Sequence, residues 1–299
     1  MDDRSVSLRH PWLAGRVTDL YVHGYDRDEN ARLEDQARAL LDLLHVDTVY
    51  PSGSRVLEVG CGVGAQTTTL LRRSPDAHFT CIDISHTSLA KAVRRTDEVE
   101  GAKVGFCQAD LFALPFAPRS FDHIFVCFVL EHLERPVAAL GILRQMLRGG
   151  GTITVIEGDH GSAYFHPANV DAQAGIECLI RLQEEAGGNA LIGRQLYPLL
   201  IEAGFDAVRV APRMVYVDGN RPDLAEGFTR KTFTAMVQGV RHAAIGAGLV
   251  TPEAFEAGIR ALHRTAEPDG VFCYTFFKGV GEAPPVMAPY TLAMLAKRV

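Results

Sequence analysis

Val56-Leu57-Glu58-Val59-Gly60-Cys61-Gly62-Val63-Gly64 is an apolar run, interrupted by one glutamate, that gives way to three alternating glycines. The pattern predicts a buried strand, a tight turn and the entry to a helix. Glycine serves where the backbone must turn through conformations that other residues resist. It also serves where a ligand lies against the main chain with no side chain between them. No Walker lysine follows the glycines, which argues against a phosphate loop of the ATPase kind. Glu58 bears on the ligand's charge, because a carboxylate near the turn opposes a pyrophosphate.

Outward from this turn the chain alternates. Residues 29–45 place Leu33, Ala37, Leu40, Leu41 and Leu44 at helical spacing, and Tyr50-Pro51-Ser52-Gly53 reads as a turn. Strands are predicted over Arg55–Val59, His78–Asp83, Val104–Gln108, Phe121–Phe128 and Thr152–Glu157. Helices are predicted over Ala65–Arg73, over Ser85–Arg95 with Ser85 as N-cap, and over Pro136–Leu147. Repeated strand–helix units imply an α/β fold, a parallel sheet with helices on both faces. The second half breaks the rhythm. Asn169–Gly187 and Gly193–Ala203 read as helices, and Ala207–Val217 and Val271–Lys278 as a sixth and a seventh strand. Between those strands lie about fifty residues of helical pattern, at Leu224–Val240 and Pro252–Thr265, far more than a hairpin needs.

Composition bounds the function. The chain has 299 residues, 47% hydrophobic and 22% charged, which suits a globular protein with one main core and additions, or two domains. A formal net charge of −6 argues against a nucleic-acid partner. No apolar run is long enough to span a bilayer, and Met1-Asp2-Asp3-Arg4-Ser5 is unlike a signal peptide, so a cytoplasmic protein is expected. The six cysteines form no CxxC pair and read as buried reduced thiols; the histidines lack metal-site spacing, so no metal is expected.

In an open parallel sheet, ligands bind beyond the carboxyl ends of the strands at the switch point. Asp83 ends the second strand, where a carboxylate can accept both ribose hydroxyls. Gly60-x-Gly62-x-x-Ala65 also satisfies a loose dinucleotide fingerprint, which alone does not separate a nicotinamide cofactor from other adenosine ligands. Three features favour a ligand with adenosine at one end and an ammonium and a sulfonium at the other. Glu58 opposes a pyrophosphate, Gly64 adds a third close glycine, and Asp110 follows the third strand where it can accept from an adenine amino group.

VLEVGCGVGAQT, CIDIS, QADLFALPFAPRSFDHIFVCFVLEHL and LRGGGTITVIEGDH, in that order over residues 55–160, resemble the class I S-adenosylmethionine-dependent methyltransferases. The resemblance is nearest to the UbiE-like, type 11 small-molecule group. It implies a seven-stranded, mostly parallel Rossmann-like methyltransferase sheet with S-adenosyl-L-methionine as cofactor. It implies that Glu58, Gly60, Gly62 and Gly64 line the methionyl side, with Cys61 and Gln66 also binding the cofactor. It implies further that Asp83 and Ile84 meet the ribose and adenine, and Asp110 and Leu111 the adenine, with Phe128, Glu131 and His132 near the methyl donor. The family's N-terminal segment often closes over the cofactor, which makes Tyr21, Tyr25, Arg32 and Gln36 lid candidates, Tyr25 toward the cofactor and Tyr21 toward the acceptor. A plain packing helix is the alternative. The domain reading is a helical lid over 1–45, a cofactor-binding core over 46–217 and 271–280, a helical insertion over 218–270 for substrate or oligomer contacts, and a tail over 281–299.

The segment Glu157-Gly158-Asp159-His160-Gly161-Ser162-Ala163-Tyr164-Phe165-His166-Pro167 is expected to be a loop entering the active-site mouth. His160 or His166 could act as general base, with Asp159 orienting an imidazole or binding an amine, and Glu157 and Tyr164 touching the acceptor. Helix capping and structural hydrogen bonds are the competing reading. Phe228–Phe233 and Cys273–Lys278 mix aromatics with cations; they suit core–surface alternation, a wall for a flat or apolar acceptor, or an oligomer interface. The expected chemistry is methyl transfer by single displacement to a small molecule, with an indole or aromatic natural product of secondary metabolism considered and a homodimer possible. Two rivals stay open: a methyltransferase-fold protein that uses the cofactor without transfer, as a pericyclase or binding module, and a nicotinamide-dependent oxidoreductase.

Overall fold

A computed structural model describes residues 40–285. Tyr21, Tyr25, Arg32, Gln36 and the tail beyond 285 lie outside the described residues. Helix α1 occupies residues 40–45. The core then alternates β1 (Arg55–Val59), α2 (Thr67–Arg73), β2 (His78–Asp83), α3 (His86–Thr96), β3 (Val104–Gln108), β4 (Phe121–Cys127), α4 (Pro136–Met146) and β5 (Leu147–His166). After these come α5 (Val170–Glu185), α6 (Leu196–Glu202), β6 (Asp206–Val217), the helices of an insertion, and β7 (Val271–Glu282).

The seven strands form one sheet in the order β3-β2-β1-β4-β5-β7-β6. The β3 to β5 block is parallel, and β7 runs antiparallel between β5 and β6. Strand order reverses between β1 and β4, so the switch point lies where the glycine turn emerges. The nearly continuous apolar runs of β1 and β4 follow from this position, since a central parallel strand is covered on both faces. Alternate residues serve the two covers. Val56, Phe79, Cys81, Phe125, Cys127 and Ile156 pack on one side, with Leu40 and Leu44 of α1. Leu57, Val59, Ile124, Val126, Ile153 and Val155 pack on the other, beneath Leu140 and Leu143 of α4 and Leu196 and Leu200 of α6.

Local signals account for the helix starts. Ser85 Oγ accepts from the Ser88 amide at 3.2 Å, as its capping position requires. Asn169 caps α5 in the same way, and Pro136 opens α4.

Two elements differ from the expected ones. The fifth strand does not stop at Glu157. It runs to His166, paired with β7 as far as His166 opposite Val271, with one irregularity between Asp159 and Tyr164. What reads as a loop is thus the outer half of an antiparallel ribbon; Gly158, Asp159, Gly161 and Ser162 are turn-type residues, and the pairing with β7 overrides them. The insertion also departs from simple helix. Short α7 (Pro222–Leu224) runs into a π-helical stretch over Ala225–Thr234, then α8 (Ala235–Gly239), α9 (Arg241–Gly246) and α10 (Pro252–Arg264). The Thr232 hydroxyl donates to the Gly227 carbonyl five residues back at 2.7 Å. The wider turn brings Phe228 and Phe233, also five apart, onto the same partner, with ring centroids 6.1 and 4.8 Å from Phe272.

Candidate active site

The turn after β1 is left-handed at all three glycines, with φ of 66° at Gly60, 53° at Gly62 and 78° at Gly64. Each is held for a different reason. A Cβ on Gly60 would lie 2.5 Å from Val129 Cγ2, and one on Gly64 would lie 3.0 Å from the Ala92 Cα in α3. A Cβ on Gly62 would meet nothing within 4 Å. The outer glycines therefore permit close packing, and the middle one leaves bare backbone facing open space. That is the arrangement a cofactor laid along the turn requires.

Asp83 ends β2 and is tied to this turn. Its Oδ2 accepts from the Gly62 amide and its Oδ1 from the Ser85 amide, both at 2.8 Å. A carboxylate oxygen has two acceptor positions, so each retains capacity for a ribose hydroxyl. Burial raises the Asp83 pKa, with the amide bonds opposing. The Cys61 amide donates to the Ile82 carbonyl at 3.0 Å, and Gln108 Nε2 donates to the Ile84 carbonyl at 2.9 Å, fixing the edge between the two strands. Asp110 accepts from the Phe112 amide at 2.8 Å and caps the short turn that buries Leu111. Gln66, just before α2, meets His45 Nε2 at 2.7 Å; burial lowers the His45 pKa to about 4, so its ring is neutral.

Glu58 is buried at 2% exposure and points to the α1 side of the sheet. Burial pushes its carboxyl up to about 7, opposed by the neighbouring Thr67 hydroxyl and by the Cys81 thiol, which donates to it at 3.2 Å. A cation nearby would reverse that shift.

A second cluster stands at the carboxyl ends of β4 and β5. Phe128 follows β4 with φ of 58°, a strained conformation for a large side chain. Glu157 holds the next turn: its Oε1 accepts from the Val129 amide at 3.0 Å and the Leu130 amide at 2.7 Å. Glu131 Oε2 lies 3.6 Å from His160 Nε2, and its Oε1 3.6 Å from His132 Nε2. Gln183 Nε2 reaches the Glu131 carbonyl at 3.1 Å and Oε2 at 3.2 Å. His160 Nδ1 meets the Tyr274 hydroxyl at 2.7 Å. Asp159 is gripped by Arg194 through two contacts of 2.6 and 2.7 Å. Burial drives Glu157 and Tyr274 well above their usual ranges, and Glu131 adds to both.

The fold thus gathers Glu131, Glu157, Asp159 and His160 into one buried region. It does not bring His166 or Tyr164 there. Both are exposed toward the end of the β5–β7 ribbon, Tyr164 at 72%. The sequence offers no signal for Arg194 or Gln183, and marks Tyr274 only as part of the aromatic run Cys273–Lys278. Each meets its partner across 35 to 114 positions, and Tyr274 sits in a run that reads as simple strand alternation. Among the described residues, no group of three or more His, Cys, Asp or Glu could hold a metal ion. No described helix is long and apolar enough to cross a membrane.

Comparison with known proteins agrees with this geometry. Residues 56–151 match the family described as methyltransferase domain. An uncharacterised 37.1 kDa protein in transposon TN4556 of Streptomyces fradiae is 30% identical over 234 residues, covering 76% of this chain and 66% of that protein. Demethylmenaquinone methyltransferase of Thermus thermophilus is 35% identical over 103 residues, covering 34% of this chain and 46% of that protein. The chain therefore spans less than two thirds of the length of these relatives. Among solved structures, phosphoethanolamine N-methyltransferase 2 of Haemonchus contortus in complex with S-adenosyl-L-methionine shares the fold at a TM-score of 0.51 and 14% identity, covering 84% of this chain and 52% of that one. With the glycine turn, the switch-point sheet and the family match in agreement, residues 56–151 form a methyltransferase domain of the class I, S-adenosylmethionine-dependent kind.

Proposed function

We propose that the protein methylates a small molecule by in-line single displacement. The observation that carries this reading is the turn itself: Gly62 presents open backbone while its amide holds Asp83. When bound, the cofactor supplies a methyl group already activated by a sulfonium. The chain's part is to bind and to orient. Asp83 takes the ribose hydroxyls, Asp110 and Leu111 frame the adenine, and Glu58 offers negative charge toward the cationic end. Phe128, fixed by the Glu157–Val129 and Glu157–Leu130 bonds, borders the acceptor side. Burial of the Glu131–His160–Tyr274 region keeps water out, which favours a reaction that disperses charge.

His160 has the best support of the proposed proton acceptors. Its imidazole is oriented by Tyr274 on one nitrogen and faces Glu131 with the other. The aromatic rings of the insertion and β7 favour an acceptor with a flat or apolar body. Residues 218–270 are proposed to help form the acceptor side, and 1–45 to form a lid. The test is incubation with isotopically labelled S-adenosylmethionine and a metabolite extract, read by mass spectrometry. A product heavier by one labelled methyl group supports transfer; saturable cofactor binding with no labelled product favours a non-catalytic use of the cofactor.

A further inference from the structure

His45 ends α1, and its imidazole is buried, with 1% exposure. Its Nε2 lies 2.7 Å from Gln66 Oε1, and its Nδ1 has no hydrogen-bond partner among the described residues. The ring centroid is 5.7 Å from that of Phe125, which is the strand neighbour of Glu58 across the β1–β4 pair. The backbone is held on both sides of His45. Lys278 Nζ donates to the Leu44 carbonyl at 3.2 Å, and Arg73 Nη2, at the end of α2, donates to the Val46 carbonyl. The end of α1 is thus tied to both ends of α2, through Gln66 at its start and Arg73 at its finish. A side chain fixed in this way can hold a neighbour in one orientation.

The idle Nδ1 decides which way the Gln66 amide faces. If Nε2 carries the ring proton, it donates to Oε1, and Nδ1 is a bare acceptor. If the amide were turned over, its nitrogen would donate to Nε2. The ring proton would then sit on Nδ1 as a buried donor with no acceptor. An orphaned buried N–H is the rarer and costlier arrangement. Burial also keeps the ring from carrying both protons. His45 therefore takes the oxygen of Gln66 and turns the amide nitrogen away. That nitrogen is not enclosed, and it meets no acceptor among the described residues. Gln66 itself is half-buried and stands two residues past Gly64, with its carbonyl accepting from the Thr69 and Leu70 amides at 3.0 and 3.1 Å.

A fixed donor beside the glycine turn selects for a ligand acceptor. The amides of Cys61, Gly62 and Gly64 are already given to Ile82, Asp83 and Cys61. An amino-acid end laid along this turn brings a carboxylate as well as an ammonium. Glu58 suits the ammonium and opposes the carboxylate, so the carboxylate gains from a side-chain donor. We propose that the Gln66 amide nitrogen donates to the methionyl carboxylate of the cofactor, and that His45 is the positioning residue that keeps the amide facing that way. The inference rests on the methyl-transfer reading above.

The test titrates two ligands into the full chain by calorimetry at about pH 8, where the carboxylates are ionised and the amines protonated. One is S-adenosylhomocysteine; the other is its decarboxylated analogue, which keeps the ammonium. Gln66→Glu keeps the oxygen that His45 needs and replaces the outward donor by a second acceptor. It should weaken S-adenosylhomocysteine by about tenfold or more, and weaken the analogue by no more than about twofold. His45→Phe keeps the bulk of the ring and removes its hold on Oε1. It should weaken S-adenosylhomocysteine by about threefold to tenfold, again sparing the analogue, because the amide can then face either way. A merely structural role would weaken both ligands alike. Should His45→Phe fold poorly, Gln66→Glu alone decides. Equal losses for the two ligands, unchanged S-adenosylhomocysteine affinity in Gln66→Glu, or a wild-type protein that binds both ligands equally well would overturn the proposal. Absence of S-adenosylhomocysteine binding to the wild-type protein would overturn the methyltransferase reading itself, and this inference with it.

Discussion

The Gly62 amide donates to Asp83 Oδ2 at 2.8 Å, so the glycine turn and the end of the second strand are one unit although 21 positions separate them. Replacing Asp83 by Ala removes an acceptor for the ribose and releases the turn. The expected outcome is a loss of cofactor affinity of roughly tenfold to a hundredfold, read by calorimetry with S-adenosylhomocysteine. Unchanged affinity would exclude Asp83 from the ribose site.

The three glycines should separate stability from binding. At Gly62 an alanine side chain meets no neighbour, so Gly62→Ala costs only the left-handed backbone penalty of about 1–2 kcal/mol. Its methyl group would stand in the cofactor's path, and affinity should fall by about tenfold or more. Gly64→Ala forces a side chain against the backbone of α3 at Ala92, so its loss should appear chiefly in Tm. Thermal melts with and without S-adenosylhomocysteine distinguish the two patterns.

Glu58 sets a pH dependence. Burial moves its carboxyl from 4.5 to about 7, so the folded state holds this proton more tightly than the unfolded chain. The sign follows: the associated stability is fully present below the unfolded value and is lost as pH rises through the folded one, by about 3 kcal/mol over that window. Asp83 and Glu157 are also raised and contribute slopes of the same sign, so the informative quantity is the difference from Glu58→Gln. That variant should unfold with a flatter pH profile between 4.5 and about 7, as followed by urea titration at a series of pH values. An identical slope in both proteins would contradict the burial argument.

Lys278 ties β7 to the end of α1. Its Nζ donates to the Leu44 carbonyl at 3.2 Å and to Asp47 Oδ1 and Thr48 Oγ1, both at 2.6 Å, and Asp47 also pairs with Arg213. Lys278→Met should cost about 2 kcal/mol, since it removes the donor to the buried Leu44 carbonyl and Thr48 hydroxyl, while Asp47 keeps Arg213. A double-mutant cycle with Asp47→Asn should give a coupling of about 1 kcal/mol, and strict additivity would show the pair to be inert.

The sheet was legible because its signals are local. Val56–Val59 and Phe121–Cys127 are apolar enough to require burial on both faces, and Ser85 announces a helix start by its own side chain. The closeness of the glycine turn and Asp83 was legible for the same reason, since they sit on consecutive strand ends. The partners of Asp159 and His160, on the proposed acceptor side, were not. The polar region there depends on the β5–β7 ribbon, which brings Tyr274 to His160 across 114 positions, and on Arg194, which reaches Asp159 from the short turn before α6. Periodicity cannot show such pairs, and a polar strand half reads as a loop when its partner strand is a hundred residues away.

The most direct test is a calorimetric titration of S-adenosylhomocysteine into the wild-type protein, with Gly62→Ala alongside and a nicotinamide dinucleotide as the competing ligand. The account predicts one saturable site for S-adenosylhomocysteine, weakened in the variant, and no saturable heat with the dinucleotide. Saturable binding of the dinucleotide without binding of S-adenosylhomocysteine would contradict it.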